Sequence, residues 1–269
     1  MTTHIMPTLF VPHGGGPCFF MDWSPADTWT KMADWLRSIP ALLGGEPKAL
    51  LVISAHWETR YFTVNVQASP PLLFDYAGFP PHTYQLQYGV SGFPELAAQV
   101  QHLLETAGIH AEQEDSRGLD HGVFIPMKVA FPAADVPIVQ LSLKAGLSPA
   151  EHLAMGRALA PLRQQGVLIV GSGMSYHNMR RFRLDDSQLD PDSVRFDDWL
   201  SETVALPSAV RAQRLIEWAS APSGRASHPR EEHLLPLHVV AGAAGDDSGQ
   251  RVFRDRVIGS IQSAFMFGG

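Results

Sequence analysis

Residues 8–16 read TLFVPHGGG: an apolar run, then a proline, a histidine and three glycines. A short apolar run bounded by turn residues predicts a buried strand. The glycines after it let the backbone approach a bound molecule closely. This stretch therefore predicts a strand at 8–12 that ends beside a candidate site, with His13 at its carboxyl end.

The same arrangement recurs along the chain. Further buried strands are predicted at 49–55, 137–142 and 167–171, and a more exposed, alternating strand at 61–67. Helical patterns lie between them, at 27–43, 93–108 and 148–166, and another is predicted from about Arg230, with a kink at Pro236. Residues 251–268 predict a final strand near the sheet edge. This alternation predicts an α/β fold, a single globular domain over 1–269 with a largely parallel or mixed sheet flanked by helices.

Composition excludes several classes of protein. The chain has 269 residues, of which 45% are hydrophobic, and a formal net charge of −7. Without a basic run, neither nucleic acid nor an anionic membrane is an expected partner. The single cysteine, Cys18, rules out an internal disulfide and a cysteine-based zinc site. The sequence shows no signal peptide and no apolar run of about 20 residues, so we expect a cytoplasmic protein.

Histidines follow three of the predicted strands. His13, His56 and His177 lie where strands run into turns, and a later cluster holds His228, His233 and His238. Ligands of open α/β sheets bind at the carboxyl ends of the strands, so distant segments can bring imidazoles to one rim. Neutral imidazole suits both zinc and Fe(II). The sequence therefore predicts a metalloenzyme with its metal at the carboxyl ends of the strands.

Other side chains near these histidines allow two interpretations. His121 lies in a glycine-flanked loop, where Asp120 is a candidate to orient a histidine; the alternative is a polar turn that caps the next helix. On the predicted helix, His233 and His238 are about 140° apart, so we expect only one to face the site. Glu231 and Glu232 are rival oxygen ligands or solvated acids of the first helical turn. The histidines placed outside the site, in polar or helix-surface contexts, are His4, His102, His110 and His152.

Several of these segments together resemble a known family. They are FVPHGGGP, LLVISAHWET, GFPPHTYQLQY, GLDHGVFIPM, PIVQLSL, VLIVGSGMSYHNMR and EEHLLPLHVVAGAAG, in this order over nearly the whole chain. The set resembles the LigB-type (class III) extradiol ring-cleaving dioxygenases, and within them the 4,5-DOPA extradiol dioxygenase branch. Single segments are weakly specific, whereas the ordered set is strong.

The resemblance implies roles for individual residues. His13, His56 and His233 correspond to the metal ligands, His177 to the acid–base histidine, and His121 to a substrate-side histidine. The wider family has a glutamate as its third ligand, so Glu232 is the second choice after His233. The resemblance also implies that Fe(II), with zinc possible in purified protein, assists O₂ in opening a catechol to a muconic semialdehyde.

Two other functions remain open at this point. The same histidines would serve a zinc hydrolase that uses metal-bound water, or a non-catalytic binding protein on this fold, as in the Memo-type relatives. The sequence does not name the catechol. His82, Tyr84 and Tyr88 are candidates for lining the pocket or for packing a loop, and no arginine or lysine is clearly placed to hold a carboxylate.

Overall fold

The computed structural model describes residues 5–269, which build one eight-stranded sheet with helices on both faces. The strands are β1 Thr8–Pro12, β2 Ala49–Thr59, β3 Phe62–Asn65, β4 Ala111–Glu114, β5 Ile138–Lys144, β6 Val167–Gly173, β7 Gly249–Val257 and β8 Ser260–Phe267. The helices are α1 Thr30–Leu42, α2 Pro94–Thr106, α3 His121–Ala130, α4 Pro149–Leu159, α5 Pro191–Val204, α6 Ser208–Ile216, α7 Gly224–Ser227 and α8 Leu235–Ala243.

The sheet is mixed, with a parallel centre. Its order is β4-β3-β5-β2-β6-β1-β8-β7. Strands β5, β2, β6 and β1 pair in parallel, whereas β3 with β5, β1 with β8 and β7 with β8 are antiparallel. The predicted α/β architecture is confirmed, and the four strands predicted as buried all form. Parallel pairing brings the carboxyl ends of β1, β2 and β6 to one rim.

Both faces of the sheet are covered by apolar side chains. On one face, Phe10 and Ile169 pack in a cluster with α2, α4 and α8. On the other, Leu9 and Val170 pack with α1 and α3. Neighbouring residues of one strand point to opposite faces, so a strand covered on both sides needs an unbroken apolar run. This explains the composition of the central strands.

Three expectations about the strands were wrong. The alternating segment at 61–67 forms β3, but all four of its residues are buried, because β3 lies inside the sheet between β4 and β5. The last segment forms two strands, not one: β8 pairs with β1, and only β7 lies at the edge. The strand predicted to end at residue 55 continues to Thr59, past an irregularity between Ile53 and Glu58.

The predicted start of the helix from Arg230 was also wrong. Residues 230–234 form turns, and α8 begins at Leu235 with Pro236 in its first turn. Proline is tolerated there because the first helical N–H groups have no partner within the helix, so Pro236 starts the helix and does not kink it. His233 consequently lies on the turn before the helix, and the angle derived for a helix does not apply to it.

Within residues 5–269, no helix combines the length and the apolar character needed to cross a bilayer.

Candidate active site

His13 and His177 reach the rim from neighbouring strands. His13 directly follows β1, and its backbone N–H donates a 3.1 Å hydrogen bond to the carbonyl of Gly173, the last residue of β6. His177 follows four residues later on the loop that leaves β6, where its own N–H donates to the carbonyl of Ser227. The parallel pairing of β1 with β6 therefore places both histidines at one end of the sheet.

His56 lies within β2, where the strand loses its regular pairing. The register with β5 shifts between Ile53 and Glu58, and pairing with β6 stops at Ser54. Such irregularities redirect side chains and are frequent beside active sites. The backbone N–H of His56 donates a 3.2 Å hydrogen bond to Ser54 Oγ. This local hydrogen bond replaces the strand-to-strand hydrogen bond that is missing here. The irregularity thus turns His56 toward the rim.

The turn that carries His233 passes very close to β6. The His233 carbonyl accepts a 3.0 Å hydrogen bond from the N–H of Met174. A Cβ added to Gly173 would lie 2.2 Å from that carbonyl, and one added to Gly171 would lie 2.4 Å from the carbonyl of Pro236. Only glycine permits this approach. The segment Gly171–Gly173, which ends β6, therefore leaves room for the turn that brings His233 to the other histidines.

His121 is the first residue of α3, and Asp75 holds it. Asp75 Oδ1 accepts from the His121 backbone N–H at 2.9 Å and lies 2.8 Å from its Nδ1. Burial raises the pKa of Asp75, but its hydrogen bond and charge interaction with His121 outweigh this and lower it. A carboxylate at Nδ1 fixes the proton there and leaves Nε2 as an acceptor.

All five of these histidines line one cavity of about 640 Å³. The ring centres of His13, His56 and His233 form a nearly regular triangle, with sides of 4.8, 4.9 and 5.3 Å. His121 lies 3.9 Å from His56, and the His177 ring stacks on His233 at 3.4 Å. The sheet therefore brings together every histidine that was predicted to belong to the site.

The buried histidines of the cluster are held in the neutral form. Burial and then the neighbouring imidazoles lower the pKa of His13 and of His56 well below the usual value. Burial, followed by the charge of His177, lowers the pKa of His233 to about 4. A metal ligand must carry a free nitrogen lone pair, so these shifts prepare the imidazoles for a cation at neutral pH.

Two polar partners orient the rings. Ser172 Oγ donates to the carbonyl of Gly122, so toward His13 Nδ1, 3.2 Å away, it can only accept. Glu232 Oε1 lies 3.0 Å from His233 Nδ1. In both histidines the proton then belongs on Nδ1, and Nε2 is left for a ligand. Metal-binding histidines are commonly held in this way.

Glu232 contacts two histidines at once. Besides His233, its Oε1 lies 3.6 Å from Nδ1 of His177. Burial raises the pKa of Glu232, but hydrogen bonds with His177 and His233 reverse this and hold it well below the usual range. Glu232 is therefore a carboxylate that faces the Nδ1 atoms of these rings, while Glu231 pairs with Arg225.

Several side chains considered from the sequence lie outside the cavity. His228 and His238 are fully buried, each with a ring nitrogen on a backbone carbonyl. His152, expected on a helix surface, is also buried. Tyr88 donates to the carbonyl of Phe131 and packs the loop, and His82 lies 3.0 Å from the carbonyl of Phe20.

Asp120 was the wrong residue to propose as the partner of a histidine. Its carboxylate accepts from Ser54, Gln140 and Arg117, and it precedes α3 as the N-cap residue. The residue that orients His121 is Asp75, which the sequence reasoning missed. Asp75 lies in the loop before GFPPHTYQLQY, and no spacing rule connects it with a histidine 46 residues later. Tyr76 and Phe79, which line the cavity, were missed for the same reason.

The donor set fits a divalent metal. Two groups of side chains each bring ligand atoms within 4.8 Å of one another: His13, His56 and His121, and His177, Glu232 and His233. Imidazole and carboxylate donors without any thiolate suit Fe(II) and zinc. Buried neutral rings with Nε2 unprotonated, next to a cavity for a small molecule, are what such a centre requires.

Comparison with known proteins agrees with this chemistry. The model of the LigB family, described as the catalytic LigB subunit of aromatic ring-opening dioxygenase, matches residues 7–266. The chain belongs to the LigB family. Like other family members it is a metal-dependent dioxygenase, and this favours oxygen chemistry over the hydrolase and the binding protein that the sequence left open.

Individual relatives span nearly the whole chain. The 4,5-DOPA dioxygenase extradiol of Beta vulgaris is 37% identical over 97% of this chain and 95% of its own length. Dioxygenase tasH of Hapsidospora irregularis is 35% identical over 98% of this chain and 86% of its own length. A crystal structure of an uncharacterized protein from Escherichia coli K12 superimposes with a TM-score of 0.80 and 30% identity, covering 98% of this chain and all of that one.

Proposed function

We propose that this LigB-family enzyme opens the ring of a catechol beside its two hydroxyl groups, using O₂ and Fe(II), to give a muconic semialdehyde. The observation that supports this most directly is the triangle of His13, His56 and His233, whose ring centres lie 4.8 to 5.3 Å apart at the wall of the cavity. Three ligands on one face of an octahedral ion leave the opposite face to small molecules.

In this proposal His13, His56 and His233 hold the metal through nitrogen. Bound Fe(II) supplies a redox-active Lewis acid that brings catechol and O₂ together. Ser172 and Glu232 fix the Nδ1 protons of His13 and His233, so that both rings present Nε2. His121 is the competing third ligand, because its nitrogen also lies within 4.8 Å of those of His13 and His56. Its contact with Asp75 and its place in α3 favour a role beside the substrate.

His177 is proposed to move protons. It lines the cavity, its side chain is 21% exposed, and its Nδ1 side faces the Glu232 carboxylate. Nε2 is then free to take a proton from a catechol hydroxyl and to return it later. The carboxylate stabilises the ring while it is charged, as an orienting acid does for a general base.

The test is reloading of metal-free protein. Apo-protein is prepared without oxygen, loaded separately with Fe(II) or Zn(II), and assayed for O₂ uptake with a panel of catechols. We expect O₂ uptake and a yellow semialdehyde only with Fe(II), because zinc has no redox chemistry. Zinc-dependent hydrolysis of an ester or amide, with no O₂ uptake under Fe(II), would reject the proposal.

The ligand set is tested by metal content. Elemental analysis of His233→Ala and His121→Ala after identical loading separates the two candidates for third ligand. We expect His233→Ala to lose the metal and His121→Ala to keep it. The reverse result would assign the third position to His121.

A further inference from the structure

Apart from the histidines, the wall of the cavity is largely apolar and aromatic. It includes Trp23, Trp29, Tyr76, Phe79, Met179 and Leu184. Among residues 5–269, none of those that line the cavity is an aspartate, glutamate, lysine or arginine. A bound catechol therefore meets polar partners at the histidines and mainly hydrocarbon around its ring substituent.

Part of this wall is exposed although it is hydrophobic. Met179 is 70% exposed and Leu184 is 65% exposed, and together with Phe182 they lie on the segment between β6 and α5. Large apolar side chains that cluster at a cavity often mark the surface that a ligand covers. An apolar substituent would bury this surface, whereas a charged one would gain nothing from it.

The segment is held by ion pairs among residues that do not line the cavity. Arg181 lies 2.8 Å from Asp190 and 2.6 Å from Asp192, and the Tyr176 hydroxyl donates to Asp190 at 2.5 Å. The N–H of Arg183 donates to the carbonyl of Ile258 at 2.8 Å. Arg181 is thus paired with two carboxylates, so it is not available to a charged substrate.

Charged groups near the site do not complement a charged substrate. Asp75 and Glu232 already contact histidines, and Glu232 also pairs with Arg230 at 3.2 Å, so these charged groups have partners of their own. Arg180 is exposed on the wall segment but does not line the cavity. A carboxylate or ammonium group placed against the apolar wall would lose hydration without gaining an ionic partner, which is costly.

We infer that the cavity selects catechols with an uncharged, apolar ring substituent over catechols that carry a carboxylate or an ammonium group, DOPA among them. This rests on the proposed function, since it concerns the substituent of the same catechol. Met179 and Leu184, on the exposed part of the cavity wall, are the specificity-determining residues.

The experiment compares matched substrates on the Fe(II)-loaded enzyme. kcat/KM is measured for 4-methylcatechol and 4-ethylcatechol, and for dopamine, DOPA and 3,4-dihydroxyphenylacetate. We expect about a fourfold gain per added methylene and at least a roughly tenfold preference for 4-ethylcatechol over each charged compound. A preference for a charged compound would overturn the inference. If Arg180→Gln then lost a preference for a carboxylate compound, Arg180 would be identified as the ionic partner of that carboxylate.

Binding provides a second readout that needs no turnover. Trp23 and Trp29 line the cavity, so quenching of tryptophan fluorescence reports occupancy. The dissociation constants are expected to follow the same order as the kinetics. Absence of ring opening with every catechol would reject the proposed function alone, whereas tighter binding of the carboxylate or ammonium compounds would reject this inference.

A pair of substitutions at Leu184 tests whether the exposed part of the cavity wall determines this specificity. Leu184→Arg places a cation beside the cavity, and Leu184→Gln is the matched uncharged control; the exposure of Leu184 makes both compatible with folding. We expect Leu184→Arg to raise the ratio of kcat/KM for 3,4-dihydroxyphenylacetate to kcat/KM for 4-ethylcatechol by about tenfold or more. Leu184→Gln should change this ratio far less. An equal change in both variants, or none in either, would contradict the assignment.

Discussion

The histidines at the rim of the sheet and the histidines within helices α4 and α8 share burial but not surroundings. His13 is 1% exposed, and His152 and His238 are fully buried. His152 has both nitrogens bonded to backbone: Nδ1 donates to the Ser148 carbonyl at 2.7 Å, and Nε2 accepts from the N–H of Lys144 at 3.2 Å. His13 has a partner on Nδ1, and its Nε2 lies 3.1 Å from Nε2 of His56.

The difference shows what separates a ligand histidine from a structural one. A structural imidazole satisfies both nitrogens with groups of its own fold, so it stabilises the chain and offers nothing to a ligand. In the rim cluster the polar partners of His13, His121 and His233 occupy Nδ1. Nε2 of His13 faces Nε2 of His56. Nε2 of His13 and Nε2 of His56 lie 3.1 Å apart at the wall of one cavity, so a shared cation can bind both nitrogens.

The largest expected effect comes from removing a rim histidine. His13→Ala should abolish ring opening and reduce metal affinity by more than about 100-fold. This exceeds the loss that is typical when only the hydrogen-bond partner of a metal ligand is removed. His152→Ala is the matched control, because it also removes a buried imidazole. It should destabilise the fold and keep its metal, as measured by elemental analysis and thermal unfolding.

The opposite pattern would remove the basis of the comparison. If His13→Ala retained a full equivalent of metal, or if His152→Ala lost it while still folded, then a free Nε2 would not distinguish the two regions. His56→Ala provides an independent repeat with the same expectation.

His177 should give the next largest effect, on rate and not on metal content. Removing a general acid–base group typically costs about 10²–10⁴-fold in turnover. We expect His177→Ala and the bulkier His177→Asn to retain substantial metal and to lose rate within this range. Metal loss as complete as in His13→Ala would make His177 a primary ligand.

Most of the fold was predictable because its signals are local. Apolar runs such as 167–171 specify buried strands wherever they lie, and Gly166 ends the preceding helical segment at a left-handed φ of 86°. The start of α8 was mispredicted because EEHLLPLH suits a helix locally. The tertiary contact of the His233 carbonyl with Met174, which glycines of β6 permit, holds this stretch in turns.

The histidines of the site could be listed from the sequence because they follow strands or lie in recognisable segments. Their partners could not. Asp75 and Ser172 act through contacts 46 and 159 residues away in the chain, and neither belongs to a spacing pattern. The apolar wall was missed for the same reason, since Met179 and Leu184 look like ordinary surface residues until the cavity beside them is seen.

The buried histidine of α4, His152, should make the stability of the fold depend on pH. Burial lowers the pKa of His152 to about 4, so as pH falls below the ordinary value near 6.5 the unfolded chain binds a proton that the folded chain rejects. Stability should therefore fall from pH 6.5 and level off below pH 4, by up to about 3 kcal/mol from this residue. Between pH 6.5 and pH 4, the free energy of unfolding of His152→Gln should therefore fall by about 3 kcal/mol less than that of the unaltered protein. Both proteins are measured with chelator present. If their curves of unfolding free energy against pH run parallel, His152 does not titrate in this way.

The smallest expected effect tests the partner of a rim histidine. Ser172→Ala removes the hydroxyl that fixes the Nδ1 proton of His13, so the ring loses its preferred tautomer and orientation. Loss of such a partner typically weakens metal binding about 10- to 100-fold. Ser142→Ala is the matched control, because Ser142 is equally buried and its hydroxyl contacts Thr59 and the N–H of Thr63. Competition with a chelator should show weaker metal binding in Ser172→Ala and unchanged binding in Ser142→Ala. Equal affinities in the two variants would mean that His13 needs no partner at Nδ1, and the distinction between the two regions would then rest on the convergence of nitrogens alone.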